Sequence, residues 1–206
     1  MMKFYFSILA LLFFNPLFSQ VQISMAMAEA SKELPYREIP AYPENFTAEN
    51  VAARMIDGLG FRFYWATEGL RPVDLAYRPT DAARSSEETI DHILGLSTII
   101  LNATQNQVNM SSGEEKSSLT FEEKRKMILD NLQTASEKLK QSGANLENLK
   151  VVFQNGEDKR EAPFWNLING PIADALWHTG QVVTFRRSSD NPFNSKVSLF
   201  YGKLRE

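Results

Sequence analysis

The chain of 206 residues contains no cysteine and only 2 histidines. The first absence excludes a disulfide-stapled scaffold, a zinc site built on thiolates and a cysteine nucleophile. The second confines any imidazole chemistry to His92 and His178. Excess positive charge is also lacking, since the formal charge is -3. That balance, with no recognisable nucleic-acid-binding motif, argues against a nucleic-acid surface. There is no G-x-S-x-G, no glycine-rich phosphate loop and no H-E-x-x-H, so several hydrolytic and nucleotide-dependent classes find no support. What is present is globular: 43% hydrophobic and 23% charged residues, with 10 glycines and 9 prolines. A chain of this size buries one good core.

The one long apolar run is N-terminal. Lys3 precedes an almost continuous stretch from Phe4 to Phe18, broken by Ser7 and by Asn15-Pro16. It is short for a membrane span of ~20 apolar residues and reads as the core of a secretory signal. Residues 1–19 are therefore expected to be removed, with cleavage after Ser19 and Ala26-Met27-Ala28 as a second candidate site. A retained anchor or a buried helix is the alternative. The expected location is exported, periplasmic or secreted, with no stable membrane span after processing. Residues 20–46 contain three prolines and read as an extended leader.

Residues 47–206 are expected to form one all-α domain, a four-helix bundle with short C-terminal β decorations. The first helix runs from Ala48 to about Gly69, with Val51, Met55, Leu59 and Phe63 on one face. Ser85 with Glu88 and Thr120 with Glu123 are capping boxes opening the second and third helices. The second reaches about Gln105 with Ile93, Leu96, Ile99 and Ile100 apolar. The third carries Met127, Ile128, Leu132, Ala135 and Leu139, ends at Ser142-Gly143, and shows a charged face read as solvated. Residues 106–118 read as a flexible connector. Leu149 to Phe153 and Val197 to Tyr201 are strand candidates that could pair beside the bundle. The last helix starts near Pro163 or Phe164 and runs to about Arg187, bent or restarted at Gly170-Pro171.

Polar side chains on apolar faces carry the functional content. His92 shares a stripe with Leu96 and Ile99. Asp174 and His178 are four residues apart, one above the other on a face extended by Leu167, Pro171 and Phe185. A carboxylate on such a face is costly unless paired or bound to a cation. Two imidazoles and one carboxylate on facing helices match a metal site with positions left open for water or substrate. A hydrogen-bonded Asp174–His178 pair and a core His92 are the plainer reading. Asp91, next to His92, faces elsewhere and is not chosen as a ligand. Trp177 is assigned to core or dimer packing, Gly180 to close helix approach, and Arg186 and Arg187 to a charge pair at a helix end.

The segment from Tyr77 to His92 (YRPTDAARSSEETIDH) and Trp177-His178-Thr179-Gly180-Gln181, followed by Arg186-Arg187 and Asn191-Pro192, resemble the second and last helices of the DinB/YfiT-like superfamily. The resemblance covers roughly Asn50 to Pro192. It implies a four-helix bundle, often dimeric, with a divalent metal held by three histidines, two of them in an H-x3-H before Gly-Gln. His92 matches the first ligand and His178 the last, while Asp174 stands where the family has its middle histidine. The carboxylate makes the set harder, favouring Mn, Fe or Ni over a purely nitrogen site, with Zn retained as a candidate. Gln181, one turn beyond His178, is placed as a catalytic group bonding substrate or bound water. The implied function is a metal-dependent enzyme acting on a small-molecule substrate. It would be a thiol-dependent S-transferase using a low-molecular-weight thiol, or a small-molecule hydrolase. The alternative is an exported, non-enzymatic metal- or ligand-binding bundle. A homodimer is expected from the resemblance alone.

Overall fold

Four long amphipathic segments each bury one stripe, and together they enclose the core. The computed structural model describes residues 34–110, 119–141 and 143–206. The expected signal segment, most of the leader before residue 34, part of the polar connector and Ser142 of the expected helix stop lie outside the described residues. The described elements belong to one unit, Leu34–Glu206. The chain is predominantly helical: α1 Ala48–Thr67, α2 Pro72–Ala76, α3 Ser86–Thr104, α4 Phe121–Lys140, α5 Trp165–Leu167 and α6 Ala173–Ser188. The strands are β1 Val108–Met110, β2 Lys150–Asn155, β3 Asp158–Pro163, β4 Val197–Ser198 and β5 Lys203–Leu204.

The helix starts follow their caps. Thr47 accepts the amide of Asn50 at 3.2 Å, and both expected capping boxes form, Ser85 with Glu88 and Thr120 with Glu123. Around the bundle α1 packs on α4, α4 on α3, α3 on α6 and α6 on α1. Lys124–Glu87 and Asn131–Ser97 contacts advance together, so α3 and α4 run parallel. Arg125–Thr67 and Lys140–Asp57 advance in opposite senses, so α1 and α4 run antiparallel. The order is therefore up, down, down, up, with α1 and α3 on one diagonal.

The buried stripe of α1 is rotated from expectation. Leu59 and Phe63 are buried, but Val51 and Met55 are exposed, and Ala52, Ala53 and Ile56 take the core positions. Residues four apart drift by about 40° per step at 3.6 residues per turn, so the i+4 row spirals off the core face. Met127 of α4 is likewise exposed. The solvated reading of that helix also fails at Lys124 and Arg125, which are buried. Lys124 pairs with Glu87 and with Asp91 at 3.1 and 2.7 Å, and Arg125 bonds Thr67 and Tyr64 of α1 and pairs with Glu68. Partners on other helices make that burial tolerable.

The strand candidate at Leu149 to Phe153 is real but does not pair with Val197 to Tyr201. Instead β2 lies between β1, parallel, and β3, antiparallel, while β4 pairs with β5. β1 therefore falls within the expected connector. Between the first two long helices the short helix α2 starts on Pro72 and ends at Ala76. The last helix restarts as expected. A wide turn, Ile168–Ile172, separates α5 from α6, with Gly170 at φ -96, ψ -105 and Pro171 removing a helical donor.

Residues 34–46 lie against the bundle without regular structure. Arg37 and Pro40 carbonyls accept from Trp65 and Arg54 at 3.2 and 2.7 Å, and Ile39 donates to Gly202 at 2.8 Å. Tyr36 sits on α1 and donates to Asp57 at 3.1 Å, while Lys140 donates to the same carboxylate at 2.6 Å. Burial, reinforced by Asp57, pushes the Tyr36 phenol far above its ordinary pKa. This packing requires Gly60, where an added Cβ would lie 2.4 Å from Tyr36 ring carbons. Gly60→Ala is expected to destabilise the chain by about 1–3 kcal/mol through overpacking. Denaturant unfolding measures it, and an unchanged midpoint would contradict the assigned contact.

Candidate metal centre

Two antiparallel helices bring the sequence-selected residues together. His92 lies in the second turn of α3, beside fully buried Ile93. Asp174 lies in the first turn of α6, where the helix dipole favours a carboxylate, and His178 follows one turn later. The restart at Gly170-Pro171 sets the rotation of α6 and so the direction of both side chains. Asp174 reaches both imidazoles: Oδ2 is 3.2 Å from His92 Nε2 and Oδ1 is 3.3 Å from His178 Nε2. The two rings meet edge to face, 4.7 Å between centroids. One donor atom from each residue lies within 4.8 Å of the other two.

These residues form a His/Asp cluster capable of coordinating a metal ion. With bonds of ~2.0–2.2 Å, adjacent donors around one cation lie roughly 3.0–3.5 Å apart, which both carboxylate–imidazole distances meet. Two imidazoles, one carboxylate and open remaining positions suit Mn, Fe, Ni or Zn. The side chain of His178 is 16% exposed, against 34% for His92 and 39% for Asp174, so the cluster opens to solvent on the His92–Asp174 side.

Gln181 bears on the tautomer of His178. Its Oε1 lies 2.7 Å from His178 Nδ1, so Nδ1–H is assigned as the donor. With the proton assigned to Nδ1, Nε2 is the ring atom left to bind a cation, and it faces the Asp174 oxygen 3.3 Å away. Two acceptors facing each other leave a place suited to a cation. An outer hydrogen bond of this kind fixes ring orientation and raises ligand basicity. Gln181, expected to contact substrate or water, has its Oε1 on His178 Nδ1 instead. Gln181→Leu is expected to weaken metal affinity roughly 10–100-fold without unfolding the bundle. Competition titration with a chelator reads this out, and unchanged affinity would remove Gln181 from the site.

The neighbours separate cleanly. Asp91 pairs with Lys124, so it does turn away from His92. Trp177 is 73% exposed and is not a core residue, because position 177 falls on the outer face of α6. Nothing approaches Gly180 within 4 Å of an added Cβ, so the expected close helix contact there is absent. Arg186 is buried and bonds the carbonyls of Trp65, Ala66 and Glu68, closing the C-terminal end of α1. Burial lowers its pKa, with Asp74 and Glu68 opposing that shift. Nearby Asp74 is held well below the usual carboxylate range, first by its bond from Arg71. Arg187 stays exposed, 5.5 Å from the Phe193 ring centroid.

No protein-family model matches the chain, and the comparisons with curated proteins and with solved structures give no match. Among the described residues, no helix is long and apolar enough to cross a membrane.

Proposed function

We propose that the chain is a divalent-metal-dependent enzyme of the DinB-like type, acting on a small-molecule electrophile by transfer or hydrolysis. The observation that carries this reading is the facing of His178 Nε2 and Asp174 Oδ1 at 3.3 Å while His178 Nδ1 is engaged by Gln181. His92, Asp174 and His178 would hold the ion, and Gln181 would keep the proton at His178 Nδ1. The ion would supply Lewis acidity and activate a small nucleophile, either water or a low-molecular-weight thiol. With no cysteine in the chain, a thiol must arrive as a substrate. The exposed side of the cluster gives such a molecule access, and the apolar packing behind His92 holds the ligands on rigid helices.

The solvent exposure of His92 and Asp174 also favours a second reading, a bundle that binds a metal or ligand without catalysis. Metal-loaded full chain, assayed with Mn, Fe, Ni and Zn against thiol-transfer and ester or amide hydrolysis substrates, separates the two. Turnover that His92→Ala abolishes supports the enzyme. Inactivity of a stoichiometrically loaded sample across both reaction types favours the binding reading.

A further inference from the structure

On the side of α6 turned toward α1, away from the metal cluster, lies a groove of about 410 Å³. That lies within the roughly 300–1,000 Å³ of small-molecule sites. Its walls are apolar, from Trp65 of α1, Leu176 and Val183 of α6, and Phe193 and Leu199 of the C-terminal segment. Arg62 and Arg187 also line it. Among the described residues neither guanidinium has a carboxylate partner. Arg62 donates to the Gly58 carbonyl at 2.9 Å, and Arg187 lies over the Phe193 ring. The threonine hydroxyls of Thr179 and Thr184 are turned back onto helix carbonyls at 2.7 and 3.1 Å, so they offer no donor to a ligand. Gly180 leaves the wall open, since a Cβ there would meet nothing within 4 Å.

The geometry points to a binding site for a single-chain amphiphile with an anionic head, the chain lying in the groove and the head engaging Arg62 and Arg187. Apolar walls reward burial of a hydrocarbon chain, and two guanidiniums with no carboxylate partner among the described residues select a negative head. A neutral amphiphile leaves both cations unmatched, and a zwitterion matches them poorly. The site uses none of the residues of the metal cluster and stands or falls separately from it.

The test is calorimetric titration of the full chain with decanoate below its micelle concentration, beside decanol and phosphatidylglycerol vesicles. Decanoate binds one per chain, and decanol at least ten-fold more weakly. Arg62→Gln and Arg187→Gln each reduce decanoate affinity about three- to ten-fold, and Gly180→Leu, which fills the groove, abolishes binding. Circular dichroism establishes that the variants are folded, and exposed Arg187 gives a variant that leaves the core untouched. No decanoate binding, equal binding of decanoate and decanol, affinity unchanged in all three variants, or binding to vesicles without binding to decanoate would each overturn the proposal.

Discussion

Asp174→Ala is expected to abolish stoichiometric metal binding while leaving the bundle folded. Asp174 is the only anion in the cluster and contacts both imidazoles, at 3.2 and 3.3 Å. Removing it takes away a ligand, so the loss exceeds the roughly 10–100-fold that outer hydrogen-bond partners contribute. Its side chain is 39% exposed, so truncation opens no sealed cavity. His92→Ala behaves the same way. Ion loading is expected to stabilise the wild type by mass action, by about 2.7 kcal/mol at a hundred times Kd. For a domain of this size that is a rise in Tm of about 5–10 °C. Metal analysis and thermal melts with and without added ion read both effects. Unchanged metal content and an unchanged loading shift in both variants would contradict the site.

Arg186→Met is expected to destabilise the fold by about 3–5 kcal/mol. The side chain is buried, at 2% exposure of the residue. Its guanidinium donates to the carbonyls of Trp65, Ala66 and Glu68 at 3.2, 3.0 and 2.9 Å. It also donates to the Asn191 carbonyl at 2.6 Å and to its side-chain oxygen at 3.2 Å. Those carbonyls include the last of α1, which have no intrahelical partners. An apolar replacement leaves them unmatched in a dry site, where each unmatched group costs about 1–3 kcal/mol. Arg186→Lys recovers little, because an ammonium cannot reproduce a planar fork spanning several acceptors. Urea unfolding measures the loss, and a shift below about 1 kcal/mol for the methionine variant would show that water replaces these bonds.

The parts of this architecture readable from sequence are those decided by near neighbours. Ser85 with Glu88 and Thr120 with Glu123 mark helix starts because a capping box is closed within four residues. Asp174 and His178 share a face because one helical turn separates them. The juxtaposition of His92 with that pair is tertiary, set by how α3 packs on α6 and by the restart at Gly170-Pro171. Spacing along the chain cannot place His92 against that pair.

Elements whose logic lies in distant partners were opaque. β3 is a largely exposed strand that opens with four consecutive charged residues, Asp158 to Glu161, held by pairs such as Lys150–Glu161 at 2.7 Å and Lys159–Glu161 at 2.9 Å, and it has no apolar alternation to recognise. Lys124 and Arg125 look solvated until Glu87, Asp91, Thr67 and Glu68 are placed beside them. Gly60 looks like a weakness in α1 until the Tyr36 ring is seen against it. Arg186 looks like an ordinary charge at a helix end, yet it closes a different helix.

The central claim is that His92, Asp174 and His178 hold one divalent cation. The most direct measurement is anomalous X-ray diffraction from crystals of the chain equilibrated with Mn, Ni or Zn. One anomalous peak is expected between α3 and α6, within ~2.0–2.2 Å of both Nε2 atoms and of an Asp174 oxygen. A fully equilibrated crystal with no peak there, or with the ion held by other residues, would contradict it.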